Sequence, residues 1–278
     1  MSVTIMLGGD RAALSPAIEY AIHLAKRTKT SLTGLCVMPD PASSVVYVTG
    51  AETVMMGASA IESLTEAQNE LAQTFESTFA THTKAAGSWL NAKFVKQQGA
   101  ISSHGAAASL LADAFVLPHA ATESSHPLNP AFEHVLMEAE LPLVLAPTNP
   151  VDSDTCLIAW DGSPLAARSV RLHMPLIATY KHVVIAQHSG KLRHQWAHVC
   201  GPTKDRLVEL LRNERLDVTE VDLDGRVSEA LLKAAKTHDA SLIVMGAYGH
   251  TRIGELLFGG TTAKLLHSDE APALALCR

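Results

Sequence analysis

Two stretches 130 residues apart constrain this chain more than any other feature. Glu140-Leu141-Pro142 and Glu270-Ala271-Pro272 align at that offset, and each introduces a short apolar run, residues 141–146 and 273–277. The beginnings correspond too, with Leu7-Gly8-Gly9-Asp10 matching Trp160-Asp161-Gly162-Ser163. A chain that repeats its own opening and close is an internal duplication, so one structural plan serves both copies. The 278 residues accommodate two units of about 140 each, and the 47% hydrophobic content lets each bury a core. Residues 147–155, rich in Pro, Asn, Asp and Ser, read as the linker, which gives expected domains at 1–147 and 155–278.

In the second copy, residues 157–160 form an apolar run ending at Asp161-Gly162-Ser163-Pro164, where Ser163 can cap a helix that Pro164 opens. Residues 182–187 read as a second strand. Trp196, Val199, Leu207, Leu210 and Leu211 follow at helical spacing, and residues 218–223 alternate as a half-buried strand does. A helix at 227–237, a strand at 241–245, a helix at 263–267 and a strand at 273–277 complete the copy. The first copy has the same rhythm: strand 3–7, helix 15–29, strand 31–38, then a long helix 58–86 carrying Ile61, Leu64, Leu71, Phe75 and Phe79 on one face. Strands at 94–95, 115–117 and 141–146 follow. Strands alternating with helices predict α/β units, each a doubly wound parallel sheet covered on both faces.

The sharpest functional signal follows the fourth strand of the second copy. Met245-Gly246-Ala247-Tyr248-Gly249 and Gly259-Gly260-Thr261-Thr262 lie between that buried strand and a helix. Glycines at a strand end let the backbone approach a ligand closely, and N–H groups opening a helix attract anions. The pattern predicts bound polyphosphate. It is not a P-loop: there is no G-K-[ST], and Lys264 lies inside the following helix, so fast phosphoryl transfer is not expected.

The formal charge of −6 and pI near 6.1 argue against non-specific nucleic-acid binding, which needs a basic face. No window has the apolar length of a membrane span, and the N-terminus meets Asp10 early without a basic region, so neither a membrane anchor nor a signal peptide is expected. Cys36, Cys156, Cys200 and Cys277 form no C-x-x-C pair, as expected for a reduced, cytoplasmic protein.

These motifs resemble the universal stress protein family, in its tandem type with two family domains per chain. The resemblance rests on Asp161-Gly162-Ser163 after the first strand, Leu242-Ile243-Val244-Met245-Gly246 at the fourth, the G-x2-G-x9-G spacing of Gly246, Gly249 and Gly259, and Ala271-Pro272 before the last strand. It implies five-stranded open sheets in the order 3-2-1-4-5, paired through their last strands as an intramolecular pseudo-dimer. It further implies ATP across the ends of strands 1 and 4, hydrolysed slowly at most, with Mg²⁺ left open. Asp161, with Ala159 before it, matches the acid beside the nucleoside, and His188 the position whose backbone reads adenine. Met245 matches a residue packed near base or ribose. Gly246, Gly249, Gly259 and Gly260 match the backbone around ribose and phosphates, with Thr261 and Thr262 at the helix start and Tyr248 bordering the loop. One departure stands out: Gly260 occupies a place where the family usually has Ser or Thr.

The first copy lacks this machinery. Gly8 stands in the place of Asp161, and Asn129-Pro130 replace Gly259-Gly260. Proline has no N–H to offer. The first domain is therefore expected to be degenerate and to serve as the pairing partner. Two other readings remain: a nucleotide-free scaffold that recruits a protein, with the apolar segment 42–57 as lid or partner surface, and a metal protein using His194 and His198 with Cys200 and His188 nearby. Pairing of tandem chains into a homodimer also stays open.

Overall fold

The computed structural model describes residues 2–41, 53–192, 203–247 and 260–278. The first half supplies strands β1 (Ser2–Leu7), β2 (Ser31–Met38), β3 (Ala92–Gln98), β4 (Ala114–Pro118) and β5 (Leu143–Ala146). The second supplies β6 (Thr155–Trp160), β7 (His182–Gln187), β8 (Asp217–Asp222), β9 (Ala240–Gly246) and β10 (Ala273–Cys277). Together they form one ten-stranded sheet in the order β3-β2-β1-β4-β5-β10-β9-β6-β7-β8. From either outer edge inward, the order is the expected 3-2-1-4-5.

Neighbours within each half are parallel, whereas β5 and β10 meet antiparallel, with Leu145 opposite Leu274, Val144 opposite Ala275 and Leu143 opposite Leu276. A strand pairing with its own copy across a two-fold axis must run antiparallel, so the duplication dictates this seam.

Helices α1 (Arg11–Thr28), α2 (Thr53–Ala86), α5 (Pro164–Leu172), α6 (Met174–Ile177) and α7 (Thr203–Asn213) cover one face of the sheet. Helices α3 (Ile101–Ser109), α4 (Asn129–Glu133), α8 (Val227–Thr237) and α9 (Gly260–Leu266) cover the other. Each face carries a single buried apolar layer that runs through both halves. The outer strands β3 and β8 are largely exposed, and charges such as Lys93, Lys96, Asp217 and Glu220 guard these edges.

Several elements depart from the sequence reading, α1 and α3 among them. Helix α1 begins at Arg11 because Asp10, not Ser15, is its cap: the Asp10 carboxylate accepts the Ala13 N–H at 2.8 Å. Helix α3 was not foreseen, since Ile101-Ser102-Ser103-His104-Gly105-Ala106 shows no apolar stripe. Its small residues serve close approach, and a Cβ at Gly105 would lie 2.9 Å from the Ala131 Cβ. Most of the segment 42–57 lies outside the described residues; its end, from Thr53, already belongs to α2.

Polar bridges join the halves. Arg27 donates to the Thr179 carbonyl at 3.1 Å and the Ser153 carbonyl at 2.8 Å, pairs with Asp154 at 3.2 Å, and lies 4.2 Å over the Tyr180 ring. Arg168 grips Glu140, and Arg278 donates to the Met137 carbonyl at 2.7 Å.

Candidate functional site

The strand order reverses direction at β6: the chain leaves it for β7 on one side and returns to β9 on the other. Such a switch point opens a crevice at the carboxyl ends of the strands, the general binding place of doubly wound sheets. Five of the sequence-predicted residues lie there: Ala159 near the end of β6, Asp161 just after it, His188 just after β7, and Met245 with Gly246 at the end of β9.

The loop from β6 to α5 is built by its own hydrogen bonds. The Asp161 carboxylate accepts the Ser163 N–H at 2.9 Å, and the Ser163 hydroxyl accepts the Ala166 N–H at 3.1 Å. Gly162 adopts φ 74°, a left-handed turn that carries the chain from strand to helix. Ser163 is therefore the helix cap, and Asp161 orients the turn with one oxygen of its carboxylate. His188 continues β7 with φ −113°, and its carbonyl already accepts the Lys191 N–H at 2.8 Å. Asp222 anchors the same turn by accepting both the Ser189 N–H and hydroxyl, which hold its carboxyl below the usual range.

The glycines differ in what they do. A Cβ at Gly246 would lie 2.7 Å from the Leu165 Cγ and 3.2 Å from the Leu165 backbone carbon, so this glycine is required by the approach of α5 to β9. The sequence reading, which placed its backbone beside ribose and phosphates, did not foresee this packing demand. Gly260 is the opposite case: among the described residues, a Cβ there would meet nothing within 4 Å. Gly260, Thr261 and Thr262 form the first turn of α9, with Thr262 buried and Gly260 exposed. Lys264 turns away to Glu229, 2.8 Å distant, where α9 meets α8. Tyr248, Gly249 and Gly259 lie outside the described residues.

Unpartnered polar atoms mark the same strand ends. The His188 Nδ1, the Trp160 Nε1 and the Gln187 Oε1 are buried with no hydrogen-bond partner. Trp160 and Gln187 are register partners on β6 and β7. Among the described residues these three atoms lack a partner, and a buried orphan of this kind calls for an explanation. Trp160 and Gln187 were missed in the sequence because they sit inside apolar runs. A neighbouring cavity of about 620 Å³ between α5 and α7 borders Trp160, Gly162 and Ser163. None of His188, Met245 or Gly260 lines it, so it is a side groove and not the crevice itself.

The first half closes its counterpart. Gly9 and Gly162 share a positive φ, and Asp10 and Ser163 are both helix caps, so Gly8 stands where Asp161 does. A Cβ at Gly8 would lie 2.8 Å from Leu128 Cδ2, so Leu128 excludes any acid. Four backbone donors of the loop are spent: His126 N on the Glu123 carbonyl, Leu128 N on the His126 ring, Asn129 N on the His126 carbonyl and Ala131 N on the Leu128 carbonyl. Pro127 and Pro130 have none to give.

Among the described residues, no group of three or more His, Cys, Asp or Glu is placed to hold a metal ion. His194, His198 and Cys200 lie outside those residues. No described helix is long and apolar enough to cross a membrane.

Comparison with known proteins agrees with this architecture. Residues 184–276 match the model of the universal stress protein family. A universal stress protein of Synechocystis sp. is 27% identical over 150 residues, which are 51% of this chain and 49% of that relative. The chain thus spans about half of the Synechocystis protein. A universal stress protein of Thermus aquaticus is 29% identical over 136 residues, 43% of this chain but 96% of the relative, so one half here corresponds to a whole single-unit protein. A crystal structure of a universal stress protein from Archaeoglobus fulgidus has the same fold, with a TM-score of 0.65 over 100% of this chain and 98% of its own, at 15% identity. The second half thus matches the universal stress protein family over residues 184–276, and the whole chain shares the fold of a universal stress protein structure, with the first half repeating the strand order of the second.

Proposed function

We propose that the second half binds an adenine nucleotide, ATP first among candidates, and that the protein acts in the stress response as a nucleotide-dependent regulator rather than a metabolic enzyme. The observation that carries this reading is the placement of Asp161, His188 and Gly246 at the strand ends of one switch point, with the His188 Nδ1 buried and unpartnered among the described residues. The donor set suits the ligand. The Asp161 carboxylate, oriented by the Ser163 N–H, would accept from a ribose hydroxyl, His188 meets the base, and Met245 with Ala159 packs near it. Gly246, Gly249, Gly259 and Gly260 leave backbone near the phosphates, with Thr261 and Thr262 adding N–H and hydroxyl groups and Tyr248 bordering the loop. If Mg²⁺ accompanies ATP, it is held mainly by phosphate oxygens and water.

Little here favours rapid turnover. The one lysine of the α9 turn, Lys264, is engaged with Glu229. The first domain, 1–147, acts as the fixed pairing partner of the nucleotide-holding domain, 155–278.

Gly260→Pro tests the assignment. Proline is tolerated in the first turn of a helix, as at Pro130, and a Cβ at Gly260 meets nothing. The variant should therefore fold and melt as the wild type does, while removing one N–H and crowding the crevice. ATP should raise the melting temperature of the wild type and leave the variant unmoved. An absent shift in the wild type would favour a nucleotide-free scaffold, and an equal shift in both would remove the glycine turn from the site.

A further inference from the structure

The first-half counterpart of the crevice is not filled by the described residues. A cavity of about 420 Å³ remains at the ends of β1 and β2, between α2 and the loop that follows β4. Its walls are apolar: Val37 and Met38 from β2, Leu71 and Phe75 from α2, and Leu128 from the loop. Asp10 and Glu123 stand in its lining, with no lysine or arginine among the described residues that line it. Leu71 is 44% exposed at this place, an uncovered large apolar side chain next to an apolar hollow.

We propose that this cavity is a binding site for a small organic cation, an aromatic or alicyclic ring bearing an ammonium group, and that it excludes anionic ligands of the same shape. The charged side chains of the lining carry the choice of charge. The loop beside them offers an anion few donors, since the N–H groups of His126, Leu128, Asn129 and Ala131 are bonded within it and Pro127 has none. The titratable side chains in the lining are two carboxylates and one imidazole, and the imidazole adds no positive charge. His126 Nδ1 accepts the Leu128 N–H at 3.1 Å, which puts the ring proton on Nε2. Nε2 is buried without a partner beside Gly9, and burial lowers the affinity of the ring for a second proton. A carboxylate field over low-dielectric walls attracts a cation and repels an anion. The apolar walls suit a ring of nucleobase or indole size, and the Phe75 ring adds an aromatic surface of the kind that favours ammonium ions.

Tryptamine and indole-3-acetate share a ring and differ in charge, so titration calorimetry with this pair is the test. Tryptamine should bind the full chain, and indole-3-acetate should bind at least tenfold more weakly. Leu71→Arg, a substitution at an exposed position, should abolish the tryptamine heat while leaving the circular dichroism spectrum unchanged. Glu123→Lys, also exposed, repeats the test should the first variant fail to fold, and should weaken tryptamine about fivefold or more. Gly260→Pro should bind tryptamine as the wild type does, which separates this site from that of the nucleotide. Equal binding of the two indoles, no binding of either, or undiminished tryptamine binding in a folded Leu71→Arg or Glu123→Lys protein would overturn the proposal.

Discussion

Acidification should destabilise this protein through His173, and the size of the effect follows from its position. His173 ends α5 with 3% of its surface exposed. Its Nδ1 lies 2.9 Å from the Ser169 carbonyl, while Nε2 lies toward Leu143 without reaching hydrogen-bond geometry. Burial pushes the imidazole down to about 4 from an ordinary value of 6.5, and the Ser169 and Leu143 carbonyls only partly offset this.

Below pH 6.5 the unfolded chain takes up a proton that the folded one refuses, so stability is full above that pH. It falls as pH drops toward 4 and levels off below. One pKa unit corresponds to about 1.4 kcal/mol, so the whole loss is about 3 kcal/mol, of which about 2 kcal/mol has gone by pH 5. Urea unfolding followed by tryptophan fluorescence at pH 7 and pH 5 measures it. His173→Leu isolates the contribution, because the Ser169 carbonyl keeps its bond from the backbone N–H of residue 173 and no buried acceptor is orphaned. The wild type should lose about 2 kcal/mol more than His173→Leu between the two pH values. Identical losses would refute the assignment.

Other consequences are as direct. Arg27→Met should cost about 3 kcal/mol in urea unfolding, since it strips the carbonyls of Ser153 and Thr179 of a donor at the junction of the halves. Gly246→Ala should cost about 1–3 kcal/mol by overpacking against Leu165, and should weaken ATP binding by displacing the cap that orients Asp161. Cys156, buried and pushed up to about 12, should stay unalkylated by iodoacetamide at pH 8 in native protein and react once unfolded, as intact-mass spectrometry can read.

The sequence disclosed the architecture because both faces of the inner strands are apolar. Runs such as Val183-Val184-Ile185-Ala186 and Leu242-Ile243-Val244-Met245 allow little besides buried parallel strands. The seam between β5 and β10 was an expectation from the family resemblance, and the pairing of Leu145 with Leu274 agrees with it. Helix α3 was not, because Ala, Gly and Ser at close contacts leave no hydrophobic stripe. At the crevice, residue identity placed Asp161, His188 and Gly246 correctly at strand ends. It did not reveal that Gly246 answers to Leu165, since that contact joins residues far apart in the chain. Nor did the missing acid at Gly8 show that Leu128 and His126 occupy the space above it, which only packing decides.

Counting and locating bound ATP tests the central claim most directly. Titration calorimetry combined with photolabelling by 8-azido-ATP should give one nucleotide per chain and a labelled peptide from the β6, β7 or β9 ends. Two nucleotides per chain, or label on the 119–133 segment of the first half, would contradict the division of roles between the two halves.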